Sequence, residues 1–310
     1  MSARTLHLFL GLFAWSGTLS AAEPEFAVKQ DAAGLTISRG ERPVAEYVFA
    51  DKAILRPYFT RVHAPSGEQV TRAHPPRPGI DAVDHDAMHP GIWLAFGDLG
   101  GGDFWRNKGR VEHVEFAEKP AIKDSVLSFA AKNRYVSGER EVCRELARHT
   151  LRLVGDGYLL TFDSQFSGEA AFAFGDQEEM GLGVRLATPL AVKAGGSITN
   201  SEGRKNEKEV WGRTADWCDY SGTLNGRRAG LLVVPHPKNL RPCWFHARDY
   251  GFVAANPFGQ KAFTKGAVSR VEVKPGETLR LRYGIWIYAS PKPVELPEIA
   301  RQYIQLMDDR

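Results

Sequence analysis

A chain of 310 residues with 40 basic against 37 acidic side chains has a formal charge of only +3. That balance excludes the electrostatic footprint of a nucleic-acid binder and a polybasic patch for a membrane surface. Three cysteines without a CxxC spacing, Cys143, Cys218 and Cys243, allow at most one disulfide and argue against a thiolate zinc site.

The N-terminus reads as a secretory signal over residues 1–22. Arg4 precedes the apolar run from Leu6 to Trp15, and Ser20-Ala21-Ala22 offers a small-residue cleavage site. The mature chain is expected to start near Glu23 and to be exported, to the periplasm or beyond. No later segment approaches the ~18 apolar residues that a spanning helix requires. Residues 23–310 have the length of one large all-β domain, and no linker composition interrupts them.

Short alternating runs fill Phe26 to Phe49, broken at Asp31 to Gly34 and Gly40 to Pro43, which predicts an antiparallel meander. Residues 73–92 are proline-rich and aperiodic, so a long irregular loop is expected ahead of Trp93. Further strands are expected at Val111 to Phe116, Val126 to Ala131 and Arg148 to Leu153, with a strand pair of long charged side chains over residues 138–148. Gly155-Asp156-Gly157 marks a hairpin into Tyr158 to Asp163. Lys274-Pro275-Gly276-Glu277 predicts another, joining Ser269 to Val273 with Thr278 to Tyr288, and a single helix over about Pro297 to Met307 closes the chain. Turn signals at short intervals, without βα alternation or a repeat, predict an all-β antiparallel β-sandwich with a short C-terminal helix.

Residues 84–105 hold two histidines, four aspartates and two tryptophans around the apolar spine Leu94-Ala95-Phe96. Polar heads beside indole faces suit a small sugar, whose C–H faces stack while its hydroxyls hydrogen-bond. His85 and His89, at i and i+4, would share a helix face, but Pro90-Gly91 makes a helix a poor expectation, so no metal site is assigned. Both are candidates for acid/base work, because free histidine titrates near neutrality. Glu179, beside Glu178 and Asp176, is a third candidate, since like charges raise a carboxyl pKa. His246, a fourth, would share a strand face with Arg248 and Tyr250, and three polar heads on one face suit the floor of a ligand cleft. Arg56, Arg185, Arg248, Asp249 and Asn256 are expected to fix hydroxyls or a carboxylate, and Trp93, Trp217 and Tyr250 to border the ligand. No Gly-x-Ser-x-Gly elbow, Walker loop or HExxH pair is present.

Arg56-Pro57-Tyr58, Asp84-His85, His89-Pro90-Gly91-Ile92-Trp93, Asp103-Phe104-Trp105, Glu179 before Arg185, Trp217-x-Asp219-Tyr220-Ser221-Gly222 and His246-x-Arg248-Asp249-Tyr250-Gly251 through Asn256-Pro257-Phe258-Gly259 together resemble the bacterial exported "PmoA" (methane oxygenase PmoA) family. Many members have His-His-Arg-Gly where this chain has Met88-His89-Pro90-Gly91. That family is similar to exported β-sandwich proteins of glycan breakdown, which implies a sandwich of the galactose-mutarotase type working on a pyranose. The expectation is a carbohydrate-active protein doing acid/base chemistry of the epimerase, lyase or hydrolase type, with a small sugar or oligosaccharide as partner. The alternatives are a non-catalytic carbohydrate-binding module, or the His/carboxylate metal-dependent oxygenase that the family label suggests. The cofactor is left open.

Overall fold

Residues 25–308 are described by the structure, a computed structural model. The expected secretory signal lies outside them. Two antiparallel sheets face each other, as the alternating runs predict. The first has nine strands in the order Phe26–Gln30, Gly34–Arg39, Arg42–Val48, Tyr58–Thr60, Ile92–Phe96, Met180–Arg185, Phe252–Asn256, Trp244–Arg248 and Arg213–Thr214. The second has eight, in the order Ser197–Asn200, Cys218–Leu224, Arg227–Pro235, Leu279–Ser290, Gly157–Ser167, Arg140–Val154, Val126–Ser137 and Arg110–Lys123.

Period-2 alternation sends one set of side chains from each strand into the space between the sheets. Ile92, Leu94, Phe96, Leu182, Val184, Phe245 and Val253 meet Phe129, Leu151, Leu160, Phe162, Leu231 and Ile285 there, all buried. Full burial stabilises by about 1.5–3 kcal/mol for each large apolar side chain, so this layer fixes the register of both sheets.

The helix Leu296–Asp308 lies on the outer face of the eight-stranded sheet. Leu296, Ala300, Tyr303 and Met307 form its apolar stripe, and Leu159, Leu232, Val234, Trp286 and Tyr288 receive it. Gly284 permits the close approach, since a Cβ there would stand 2.4 Å from the Tyr303 ring.

The hairpin at Gly155-Asp156 forms, with Val154 opposite Gly157, and residues 140–154 are a strand as the charged pair predicted. The hairpin expected around Lys274 to Glu277 does not form. The turn is there, with Glu277 N–H donating to the Lys274 carbonyl at 2.9 Å. Val271–Val273, however, pairs with Phe172–Phe174. Leu279–Ser290 instead pairs with Gly157–Ser167 along Leu279 to Tyr288 and with Arg227–Pro235 from Tyr283 onward. Two five-residue helices, Asn206–Val210 and Gln260–Thr264, were not expected; neither is long enough to show a period.

Candidate functional site

The side chains that alternate away from the core of the nine-stranded sheet include most of the expected ligand residues. Register places Trp93 opposite Gly183, Gly183 opposite Ala254, and Ala254 opposite His246. One step along, Arg185 is opposite Phe252 and Phe252 opposite Arg248. The small residues between the large ones are required. A Cβ on Gly183 would stand 2.6 Å from the Trp93 ring and 2.9 Å from that of Trp105.

The proline-rich loop covers this face, and two buried arginines hold it there. Arg72 donates to the carbonyls of Ala82 (2.9 Å), Asp84 (2.6 Å), His85 (3.2 Å) and His89 (2.8 Å). Arg56 donates to the carbonyls of Trp105 (2.9 Å) and Met88 and to Asn107 Oδ1 (2.8 Å). Buried carbonyls need donors, and a guanidinium supplies several from one side chain. Arg56, expected to touch ligand, is thus buried and engaged with the backbone. Arg72 was missed by sequence reasoning, although an arginine just ahead of a proline-rich loop is a usable signal.

So held, the loop lays a column of rings on the sheet. His89 stacks on Trp93 at 5.2 Å, on Phe252 at 4.5 Å and on His85 at 4.9 Å, and His85 stacks on Tyr250 at 5.4 Å. The Arg185 guanidinium lies 4.6 Å over the Tyr250 ring. His246 meets Phe252 edge-on at 5.1 Å. Phe252 is therefore the common neighbour of His89 and His246, a role its apolar side chain did not advertise. Trp93 is fully buried and forms the wall of the site.

Asp84 links the column to the arginines. Its Oδ2 accepts from His85 Nδ1 at 2.9 Å and its Oδ1 from Arg185 Nη2 at 2.8 Å. Burial would raise the Asp84 carboxyl, but those two bonds outweigh it and hold it below the usual carboxylate range. An ionised carboxylate only accepts, so Nδ1 of His85 carries a proton toward Asp84 and Nε2 is the nitrogen left free of it. The His85 side chain is 40% exposed. The other two histidines differ. Burial first, then the charges of Arg185, His85, Arg72 and Arg56, pushes His89 well below its ordinary pKa. Burial and then Arg248 push His246 down to about 3. Both are neutral near pH 7.

The two neighbouring glutamates separate in function. Glu179 is held by Arg106 at 2.6 Å, and Arg106 in turn contacts Asp103 at 3.2 Å. Glu178 is the one beside His246, with Oε2 3.5 Å from Nε2 and 3.4 Å from Arg248. The first contact lacks hydrogen-bond geometry, and with His246 neutral it is no ion pair. Burial, with Glu179 adding and Arg248 opposing, raises the Glu178 carboxyl above its usual range. Arg248 also pairs with Glu207 at 2.9 Å.

Asp249 and Asn256 serve the scaffold. Asp249 Oδ1 accepts from Glu207 N–H at 2.9 Å, while Glu207 Oε2 accepts from Asp249 N–H at 3.0 Å. Asn256 donates to the carbonyls of Gln177 and Glu178 and accepts from Phe258 and Gly259 N–H, which places Glu178. Trp217 is not with this group. It packs on the cluster beneath the C-terminal helix, on the other sheet.

Volume and chemistry part company. A cleft of about 500 Å³ runs past Lys132, Arg134 and Glu141, one of about 360 Å³ past Trp217, His236 and Arg301, and one of about 460 Å³ past Arg204, Arg213 and Trp244. None includes His85, Arg185 or Tyr250. A raised carboxyl, Glu145, also lines the first cleft, but the ring column is the better candidate because an oriented histidine and buried arginines meet there and in none of the three clefts. Among the described residues no three His, Cys, Asp or Glu side chains group as a metal site. His85 lies parallel to His89 with Nδ1 given to Asp84, an arrangement that does not fit a two-histidine metal pair. The three cysteines are free and buried.

No curated protein sequence matches the chain. Among solved structures, an α-galactosidase from Lactobacillus brevis is similar at 9% identity and a TM-score of 0.42, over 86% of this chain and 39% of that one. A GH36 α-galactosidase from Geobacillus stearothermophilus in complex with stachyose matches at 9% and 0.42, over 90% and 42%. The Synechocystis protein Slr1438 matches at 10% and 0.31, over 90% and 100%. The chain thus spans about two-fifths of either α-galactosidase, and the likeness is distant. A family model described as a family of unknown function, DUF6807, matches residues 34–300, and the chain belongs to that family.

Proposed function

We propose that the outer face of the nine-stranded sheet binds a small sugar and performs acid/base chemistry on it, with His85 as the proton-transferring group. The observation that carries this is the Asp84–His85 pair. An ionised carboxylate fixes the imidazole tautomer, and the free nitrogen sits on a side chain open to solvent. Tyr250 and Arg185 border it with an aromatic ring and donors, the mixture that a sugar's C–H faces and hydroxyls require. Glu178, whose carboxyl burial raises above its usual range, is the proton donor of the pair. His89 and His246 stay neutral and act as walls and hydrogen-bonding groups. Epimerase, lyase and hydrolase chemistry all use such a pair, and the protein acts as an exported member of one of these classes.

A non-catalytic sugar-binding module is the second reading, favoured by the burial of two of the three histidines. Incubation of wild type and His85→Ala with a panel of mono- and oligosaccharides, read by NMR for products and by calorimetry for binding, separates the two. Loss of a general acid/base group costs about 10²–10⁴ in turnover while affinity changes little. Binding without product by the wild type leaves the module; no binding of any sugar removes both.

A further inference from the structure

We infer that the ligand of this site carries a carboxylate, as a uronic acid does, and that Arg185 receives it. This rests on the proposed sugar site and names its substrate class.

Each of the three buried arginines has a different share of partners. Arg56 and Arg72 have their terminal nitrogens on main-chain carbonyls, which satisfy donors but neutralise no charge. Arg185, only 1% exposed, has one hydrogen-bonding partner, Asp84, through one oxygen to Nη2. Its Nε and Nη1 are buried without any, whereas in Arg56 and Arg72 only Nε is so. A guanidinium has five N–H donors in a rigid fork, so most of this one is unused. Unpartnered buried donors of this kind mark an absent acceptor.

The charge count says what that acceptor is. Glu178 and Glu207 face Arg248, and Glu179 and Asp103 face Arg106. Among the described residues Asp84 is the one carboxylate paired directly with Arg185, and it is shared with His85, while Asp103 acts on Arg56 and Asp81 and Asp86 on Arg72 without such a pair. A hydroxyl or a water would satisfy the free donors and leave the positive charge uncompensated. A carboxylate does both, and its two oxygens match an edge of the fork, which the Tyr250 ring holds flat beneath it. Asp84, 40% exposed, occupies that edge through a single oxygen. It stands in for the ligand and gives way to it.

Calorimetry on the full chain with galacturonate and glucuronate against galactose and glucose tests the inference. A charge-assisted pair with a buried arginine is expected to favour the uronates by about tenfold or more. Raised salt should shrink that preference, and Arg185→Gln should abolish it. Asp84→Asn, which removes the competing charge, should tighten uronate binding several-fold relative to the neutral hexoses. That gain is an outcome a merely structural Asp84 would not produce, and it stands even if Arg185→Gln fails to fold. Equal affinity for hexose and uronate, or weaker uronate binding by Asp84→Asn, overturns the carboxylate while the sugar site survives. If neither class binds, both fall.

Discussion

The two outer sheet faces are alike in backbone and opposite in how they are covered. On the eight-stranded sheet a helix lays an apolar stripe over Trp286, Tyr288, Leu232 and Val234. On the nine-stranded sheet the cover is an irregular loop, bound through guanidinium-to-carbonyl bonds from Arg56 and Arg72. Apolar contact is non-directional and tolerates little that is charged. Hydrogen bonds to the main chain place the loop over a second aromatic cluster, Trp93, Trp105 and Phe252, with histidines, a carboxylate and a further arginine set among and above the rings. The first cover stabilises; the second frames the proposed site.

The sharpest way to break the contrast is at the helix. Trp286→Ala should cost about 3–5 kcal/mol in urea unfolding, through cavity and lost burial together. Ligand affinity should be untouched when measured below the transition; a parallel loss of binding would mean that the two faces are coupled. Arg72→Leu comes next. It leaves the carbonyls of Ala82, Asp84 and His89 without their donor, each a loss of about 1–3 kcal/mol where water cannot reach, and a total near 3 is expected because the loop edge is wet. Here binding should collapse with the loop, and an unchanged affinity would show that something else holds it.

The effect smallest at any one condition is in pH, where it accrues gradually. His246 binds its proton less readily in the folded chain, at about 3, than an unfolded histidine does. Stability from this group is therefore complete above pH ~6.5 and is lost as pH falls from there toward the folded value, by up to about 1.4 kcal/mol per unit. His246→Gln should flatten the slope between pH 6.5 and 4 by that share. A variant with the wild-type slope would show that His246 is charged in the fold after all.

The alternation in Trp244–Arg248 was legible and carried the shared face of His246 and Arg248, while short alternating runs and frequent turn signals carried the sandwich. Other features depend on partners far along the chain. Glu178 and Glu179 are indistinguishable until Arg106, from another loop, takes one of them. Arg56 and Trp93 look like ligand groups, yet burial makes them support, and Trp217 follows the C-terminal helix to the opposite sheet. The turn at Lys274 to Glu277 was visible, but the distant strands that pair with its two flanks were not.

The grip of Arg56 and Arg72 on the loop is blind to side-chain identity, since main-chain oxygens are the same in every residue. Val83, exposed and with a side chain that neither arginine contacts, can therefore be exchanged while the curve of the chain persists. A library at that position would vary the outside of the loop on an unaltered frame, much as interchangeable bits fit one handle.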